Sequence, residues 1–189
     1  MGRDRFGPVE SCAKRMAILP IRRWRRPRFC RRISTAAMAQ GDEMQLVERS
    51  ALVTYTAAQM FALVNDVARY PEFLPWCTAA RVEDGAAGER IATLSVARGV
   101  LRTEFTTRNT LRQDEQIQMK LLHGPFRDLQ GEWRFEPIGS RGSRVHFRVE
   151  FEFKNRVTAT AFNAVFEAMC GTIIDAFVQR AQTVYQTGS

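Results

Sequence analysis

From Val145 to Phe153 every second residue is apolar (Val145, Phe147, Val149, Phe151, Phe153), and His146, Arg148, Glu150, Glu152 and Lys154 fill the alternate positions. A period of two puts the first set on one face of a β-strand and the second on the other, so the strand has one buried and one wet face. It runs almost directly into a helical pattern reaching about Tyr185. There Phe162, Val165, Phe166, Met169, Ile173, Ala176, Phe177 and Val184 share a stripe, while Glu167, Asp175, Gln179 and Gln182 lie roughly opposite. Two large apolar faces joined end to end must cover each other. A helix of about 30 residues spans roughly 43 Å, enough to cross a whole sheet, and a curved sheet under such a lid can enclose a cavity.

The segments upstream supply the rest of that sheet. Residues 45–53 allow a first strand, with Val47, Ala51 and Val53 on one side and Glu48 and Ser50 on the other. Thr56 is an N-cap for a helix whose Met60, Phe61, Val64 and Val67 share a face. Pro71 and Pro75 break the next segment into short turns carrying Tyr70, Phe73, Leu74 and Trp76. Six strands follow, at about 78–84, 89–97, 100–112, 115–123, 127–137 and 143–154. Their separators, Gly85 and Gly88, Gly99, Asp114, Gly124 with Pro125, and Gly139 with Gly142, are close enough to imply hairpins. One-sided burial repeats along them. Leu101, Thr103, Phe105 and Thr107 alternate with Arg102, Glu104 and Arg108, and Leu129, Gly131, Trp133 and Phe135 with Gln130, Glu132, Arg134 and Glu136. The order β, α, six strands, long α predicts an α+β domain: a curved antiparallel sheet of about seven strands wrapped around a C-terminal helix.

The 189 residues, 45% hydrophobic and 25% charged, suffice for one domain and an appendage, and no uninterrupted apolar run approaches the ~18 to 20 residues of a membrane span. The net charge of +8 is unevenly placed. Residues 1–43 hold 11 basic and 4 acidic side chains (11 − 4 = +7), and residues 44–189 hold 17 against 16 (17 − 16 = +1). The basicity therefore belongs to a leader, in which Arg22, Arg23, Arg25, Arg26, Arg28, Arg31 and Arg32 surround Trp24 and Phe29 without periodicity. Three expectations fit it: a mitochondrial transit peptide, a basic aromatic arm that touches phosphate, or an upstream extension of a chain starting at Met38 or Met44. The four cysteines (Cys12, Cys30, Cys77, Cys170) form no CxxC pair, and the two histidines are His123 and His146, so no metal framework is expected. No Ser, His and Asp set or paired inward carboxylate stands out either, and Glu104, Glu132, Arg134 and Glu150 fall on the wet face.

Two ordered segments, Tyr70-Pro-Glu-Phe-Leu-Pro-Trp-Cys77 and Gly124-Pro-Phe-Arg-Asp-Leu-Gln-Gly-Glu-Trp-Arg-Phe135, with Phe151-Glu-Phe153, Arg180-Ala181 and Tyr185, carry a resemblance over about residues 44–186. The chain resembles the START-like, helix-grip proteins of the coenzyme Q-binding and RatA family, in the polyketide cyclase superfamily. The resemblance implies a START-like domain over residues 44–189 that binds a ligand without enzymatic activity. The leading expectation is ubiquinone or a similar polyprenyl lipid, held as cargo, with no resident cofactor. A second is a toxin that binds the large ribosomal subunit and blocks subunit association; a third is a polyketide cyclase or aromatase. Location follows the leader: bacterial cytoplasm, or mitochondrion if it is a transit peptide.

Core packing by itself accounts for Trp133, Phe135, Phe147, Phe151, Phe166, Met169, Ile173 and Phe177, each large apolar side chain contributing roughly 1.5 to 3 kcal/mol on burial. A helix-grip fold implies in addition that such residues, with Phe73, Trp76, Phe105 and Phe126, line an apolar cavity. Arg180 stands on the buried stripe, where a charge needs a partner or a wet rim. Its alternatives are an ion pair with an acid such as Glu150 or Glu152, a helix C-terminal placement, or a polar anchor for a quinone carbonyl. The Pro71–Pro75 loop is a gate, a membrane-touching lip or a rigid plug. Gly171, placed by helical phase on the outer side, marks a kink or a surface contact.

Overall fold

The computed structural model describes residues 44–186, so the basic leader, Cys12 and Cys30 lie outside the described residues. The seven strands are β1 (Gln45–Val53), β2 (Cys77–Asp84), β3 (Glu89–Arg98), β4 (Leu101–Arg112), β5 (Gln116–His123), β6 (Phe126–Ile138) and β7 (Gly142–Phe153). They form one antiparallel sheet in the order β1-β7-β6-β5-β4-β3-β2, so five successive hairpins carry the chain from β2 to β7 and β1 docks on β7. Between β1 and β2, at opposite edges, lie α1 (Ala57–Asn65), a 3-10 turn (Val67–Arg69) and α2 (Tyr70–Phe73). The expected fold is the one observed.

Local chemistry explains the joints. Thr56 caps α1 in a full capping box: its hydroxyl accepts from Gln59 N at 3.2 Å and Gln59 Oε1 accepts from Thr56 N at 2.9 Å. Met60, Phe61 and Val64 are the buried face of α1. Gly124, at φ 148°, has space for no side chain, because a Cβ there would stand 2.7 Å from Phe105 Cβ. That close crossing lets the β5–β6 hairpin fold over β4 where the β4–β5 register shifts at Thr106 and Thr107.

The C-terminal lid differs from the single helix expected. It is two helices, α3 (Arg156–Gly171) and α4 (Ile173–Gln186), interrupted at Thr172, where the backbone amide turns back to the carbonyls of Met169 and Cys170. The kink expected at Gly171 therefore falls one residue later. Gly171 itself meets the β1 residue Arg49, whose Nε donates to its carbonyl at 3.4 Å. Phe166, Met169, Cys170, Ile173, Ile174, Phe177 and Ala181 form the buried stripe, whereas Val184 is 43% exposed. The last turn has run past the sheet onto α1, and Tyr185 makes the contact instead, donating to Gln59 O at 3.0 Å. By length and composition alone the stretch Arg156–Tyr185 is long and apolar enough to cross a membrane. Its alanines contribute to that apolarity; Phe166, Met169, Ile173, Ile174 and Phe177 are buried, whereas Val157 and Val184 are exposed.

Two aromatic groups fill most of the space under the lid. Phe105, Phe126, Phe151, Phe153 and Phe166 pack mainly edge to face, with centroids 4.5 to 6.2 Å apart. Trp133 meets Phe147 at 4.6 Å and Phe177 at 5.2 Å, and Phe177 meets Tyr70 at 5.3 Å and Phe73 at 5.1 Å. Such pairs add about 0.5 to 1.5 kcal/mol each beyond area burial.

Candidate functional site: a small cavity under the lid

A partly enclosed cavity of about 70 Å³ remains between the sheet and the lid, with Val67, Tyr70 and Trp76 also in its wall. Of the residues expected to line it, Trp76, Phe105, Trp133, Phe147, Phe166, Met169 and Ile173 do so. Phe126, Phe135, Phe151 and Phe177 are buried but do not reach it, because they are spent on the aromatic packing around it. Phe73 lies on the other side of Trp76, in a surface groove of about 500 Å³ shared with Pro75, Ala97, Arg98, Thr172, Asp175, Ala176 and Gln179. Trp76 borders both spaces and is the wall between them.

The polar feature of the cavity is one that alternation along β4 makes legible and that attention to Phe105 alone passes over. Continued from Leu101 through Phe105 and Thr107, period two brings Asn109 inside. Thr107 and Asn109 are 5% and 7% exposed, and the Thr107 hydroxyl donates to Asn109 Oδ1 at 2.8 Å. Both side chains line the cavity, so this pair is the polar group that an oxygen there would meet.

Arg180 is not in the cavity. Its guanidinium donates to Glu72 Oε2 at 2.6 Å and lies 5.4 Å from the centre of the Phe73 ring. The expected ion pair forms, but with an acid of α2 rather than Glu150 or Glu152. The reason is topological: period two sends both of those to the outer face, where Glu150 pairs with Arg148 and Glu152 with Arg127 at 2.8 Å. Arg148 and Gln130 hold the Glu150 carboxyl below its ordinary value.

The Pro71–Pro75 segment is anchored at Leu74 and by its flanks, while Pro71, Glu72 and Pro75 are exposed. Tyr70, Leu74, Trp76 and Cys77 are buried, the Tyr70 hydroxyl donates to Val64 O at 2.6 Å, and Ala97 N donates to Trp76 O at 2.8 Å. Burial pushes the Cys77 thiol up to about 11 and the Cys170 thiol up to about 12, so both are protonated at neutral pH and poor nucleophiles. No group of three or more metal-ligating side chains occurs among the described residues.

The family profile described as polyketide cyclase / dehydrase and lipid transport matches residues 53–178, most of the described chain. The chain belongs to the polyketide cyclase / dehydrase and lipid transport family. Its match to that family spans the cavity floor on β4 and the break at Thr172, and ends before Arg180. The ribosome association toxin RatA of Escherichia coli (strain K12) is 41% identical over 142 residues, covering 75% of this chain and 90% of that one. The mitochondrial coenzyme Q-binding protein of Drosophila melanogaster is 28% identical over 136 residues, covering 69% of this chain and 56% of that one. Among solved structures, the Zhui aromatase/cyclase from Streptomyces sp. R1128 superposes with a TM-score of 0.69 at 18% identity, covering 78% of this chain and 99% of that one. That likeness shows a shared helix-grip fold.

Proposed function

We propose that this protein is a non-enzymatic, RatA-like factor that binds the large ribosomal subunit and opposes its association with the small one. The observation carrying this reading is the 41% identity to a ribosome association toxin across 90% of that protein's length. The coenzyme Q-binding relative, at 28% identity, aligns over little more than half of its own length. Cavity size points the same way. An apolar cavity of roughly 150 Å³ takes a benzene-sized ligand, and the space here, about 70 Å³, is smaller than that. The ribosomal reading therefore displaces the quinone reading as the leading one, and the bacterial sources of the RatA relatives support a cytoplasmic site of action.

Sedimentation tests it. Purified protein added to separated subunits at joining levels of magnesium is expected to co-sediment with the large subunit and to deplete joined ribosomes. An unchanged profile, with all the protein at the top of the gradient, overturns the proposal.

Carriage of a small apolar molecule is a second reading, favoured by the Thr107–Asn109 pair in a mostly apolar cavity. Organic extraction of freshly purified protein, followed by mass spectrometry, checks it: a stoichiometric quinone in the extract would support lipid carriage and an empty protein would remove it.

A further inference from the structure

The β3–β4 hairpin ends in a two-residue tip, Gly99 and Val100, with Gly99 at φ 58° supplying the left-handed turn. This tip projects from the sheet. The β4–β5 ladder begins only at Thr106, and the β2–β3 ladder reaches no further than Val96, so the last residues of β3 and the first of β4 have chiefly each other as strand neighbours. Arg98 and Arg102 flank the tip on opposite faces: Arg98 is opposite the buried Leu101, and Arg102 is opposite Ala97. Val100 between them is 73% exposed.

Many arginines along the sheet are ion-paired. Arg81 pairs with Glu104, Arg108 with Glu89, Arg134 with Glu132, and Arg148 with Glu48 and Glu150. Among the described residues, neither Arg98 nor Arg102 has a carboxylate within ion-pair distance. Arg90 and Lys120 share that lack of a carboxylate partner among the described residues, and what sets Arg98 and Arg102 apart is their place beside the exposed tip. A paired guanidinium must surrender its carboxylate before it engages a phosphate; an unpaired one exchanges only water and loosely held anions. Guanidinium also offers the bidentate fork that suits phosphate oxygens.

We infer that the β3–β4 fingertip, through Arg98 and Arg102, is the surface that grips the phosphate backbone of ribosomal RNA. This rests on the ribosomal reading above. The adjacent groove fits a base or a ribose rather than a second phosphate. Phe73, Trp76 and Ala97 give it apolar wall, while Asp175 repels phosphate and accepts hydrogen bonds from a base amino group or a 2′-hydroxyl. A lipid surface suits the fingertip less well, since a single exposed valine is a small apolar anchor.

The test compares full-length wild type with Arg98→Ala/Arg102→Ala and with Arg108→Ala/Arg148→Ala, whose targets are ion-paired. Co-sedimentation with purified large subunits is measured from 50 to 200 mM KCl, with thermal melts confirming folding and the single variant Arg102→Glu as a second probe on the wet face. The leader is common to all, so its contribution cancels in the comparison. Loss of two phosphate contacts is expected to lower the slope of log affinity against log salt by about 1.5, so the fourfold rise in salt penalises the fingertip variant about eightfold less than wild type. The paired-arginine variant should keep the wild-type slope. Binding and slope unchanged in the fingertip variant, with wild type bound, overturn the fingertip and leave the ribosomal reading standing. Wild type that fails to bind overturns both. Unchanged subunit binding with lost flotation on phosphatidylglycerol vesicles makes the fingertip a membrane contact and overturns the RNA assignment.

Discussion

Arg180 and Glu72 meet at 2.6 Å across 108 residues of sequence, tying the lid helix α4 to the short helix α2. The arginine side chain is 17% exposed and the glutamate 47%, so solvent screens the pair only in part. With the Phe73 face beneath the guanidinium, the contact contributes about 1 to 2 kcal/mol. Arg180→Ala should lower the unfolding free energy by that amount in urea titrations, and Arg180→Met should recover part of it through packing. An anchor for a cavity ligand would behave otherwise, leaving stability untouched and removing binding.

Gly124→Ala is expected to be among the most damaging single changes in the sheet. Its methyl group would press on Phe105 Cβ at 2.7 Å, with the backbone held at φ 148°. A loss of about 2 to 4 kcal/mol follows from strain and displacement of the β5–β6 hairpin. Gly171→Ala is its control. There the nearest atom is the tip of Arg49 at 3.2 Å, which can swing away, so denaturant midpoints should shift little.

A double-mutant cycle on Thr107 and Asn109 reports what the cavity is for. Asn109→Leu alone strands the buried threonine hydroxyl and should cost about 1 to 3 kcal/mol; adding Thr107→Val removes the stranded group and should return most of that. If stability recovers and ribosome binding is unaltered, the polar pair is internal architecture. Loss of subunit binding in the recovered, stable double variant would tie the cavity to the ribosomal activity.

Alkaline pH should expose the buried thiols. Cys77 and Cys170 have folded-state values of about 11 and about 12 against an ordinary 9.0, because burial disfavours the thiolate. Below pH 9 both states are neutral and the full stability is present. Above it the unfolded chain releases protons that the folded one keeps, so stability falls as pH rises through that window, by about 1.4 kcal/mol per pH unit for each thiol fully ionised on unfolding. Tyr70, whose hydroxyl is also driven up by burial, adds to the fall above its ordinary 10.0. Chemical denaturation between pH 8 and 11 should show a shallower decline in Cys170→Ala than in wild type.

Alternation and turn residues made the strands, the hairpin succession from β2 to β7 and an apolar lid legible before any coordinates. The docking of β1 on β7 joins segments far apart in sequence, and the break in the lid at Thr172 carries no periodic signal. The site was less legible, for reasons visible in particular residues. Arg49 continues the inward alternation from Val47 yet is an exposed cation, held by the carbonyls of Gly171 and Glu48. Asn109 follows the inward phase of β4 but is polar, so an apolar pattern does not select it. The partner of Arg180 depends on where α2 lands after a Pro-broken segment, and no periodicity reports that. Which of twelve apolar candidates touch the cavity is decided by aromatic packing among themselves, a many-body outcome absent from any local pattern.

The interruption at Thr172 also has an electrical meaning. An unbroken helix would present a neutral middle at this point, whereas two helices present a partly negative C-terminus and a partly positive N-terminus back to back. Arg49 sits at the first of these, on the Gly171 carbonyl, and Asp175 occupies the opening turn of the second. Each charge has a half-dipole of the opposite sign beside it. A substitution that welded α3 to α4 would erase both poles at once, and these two charges would then favour reopening the break.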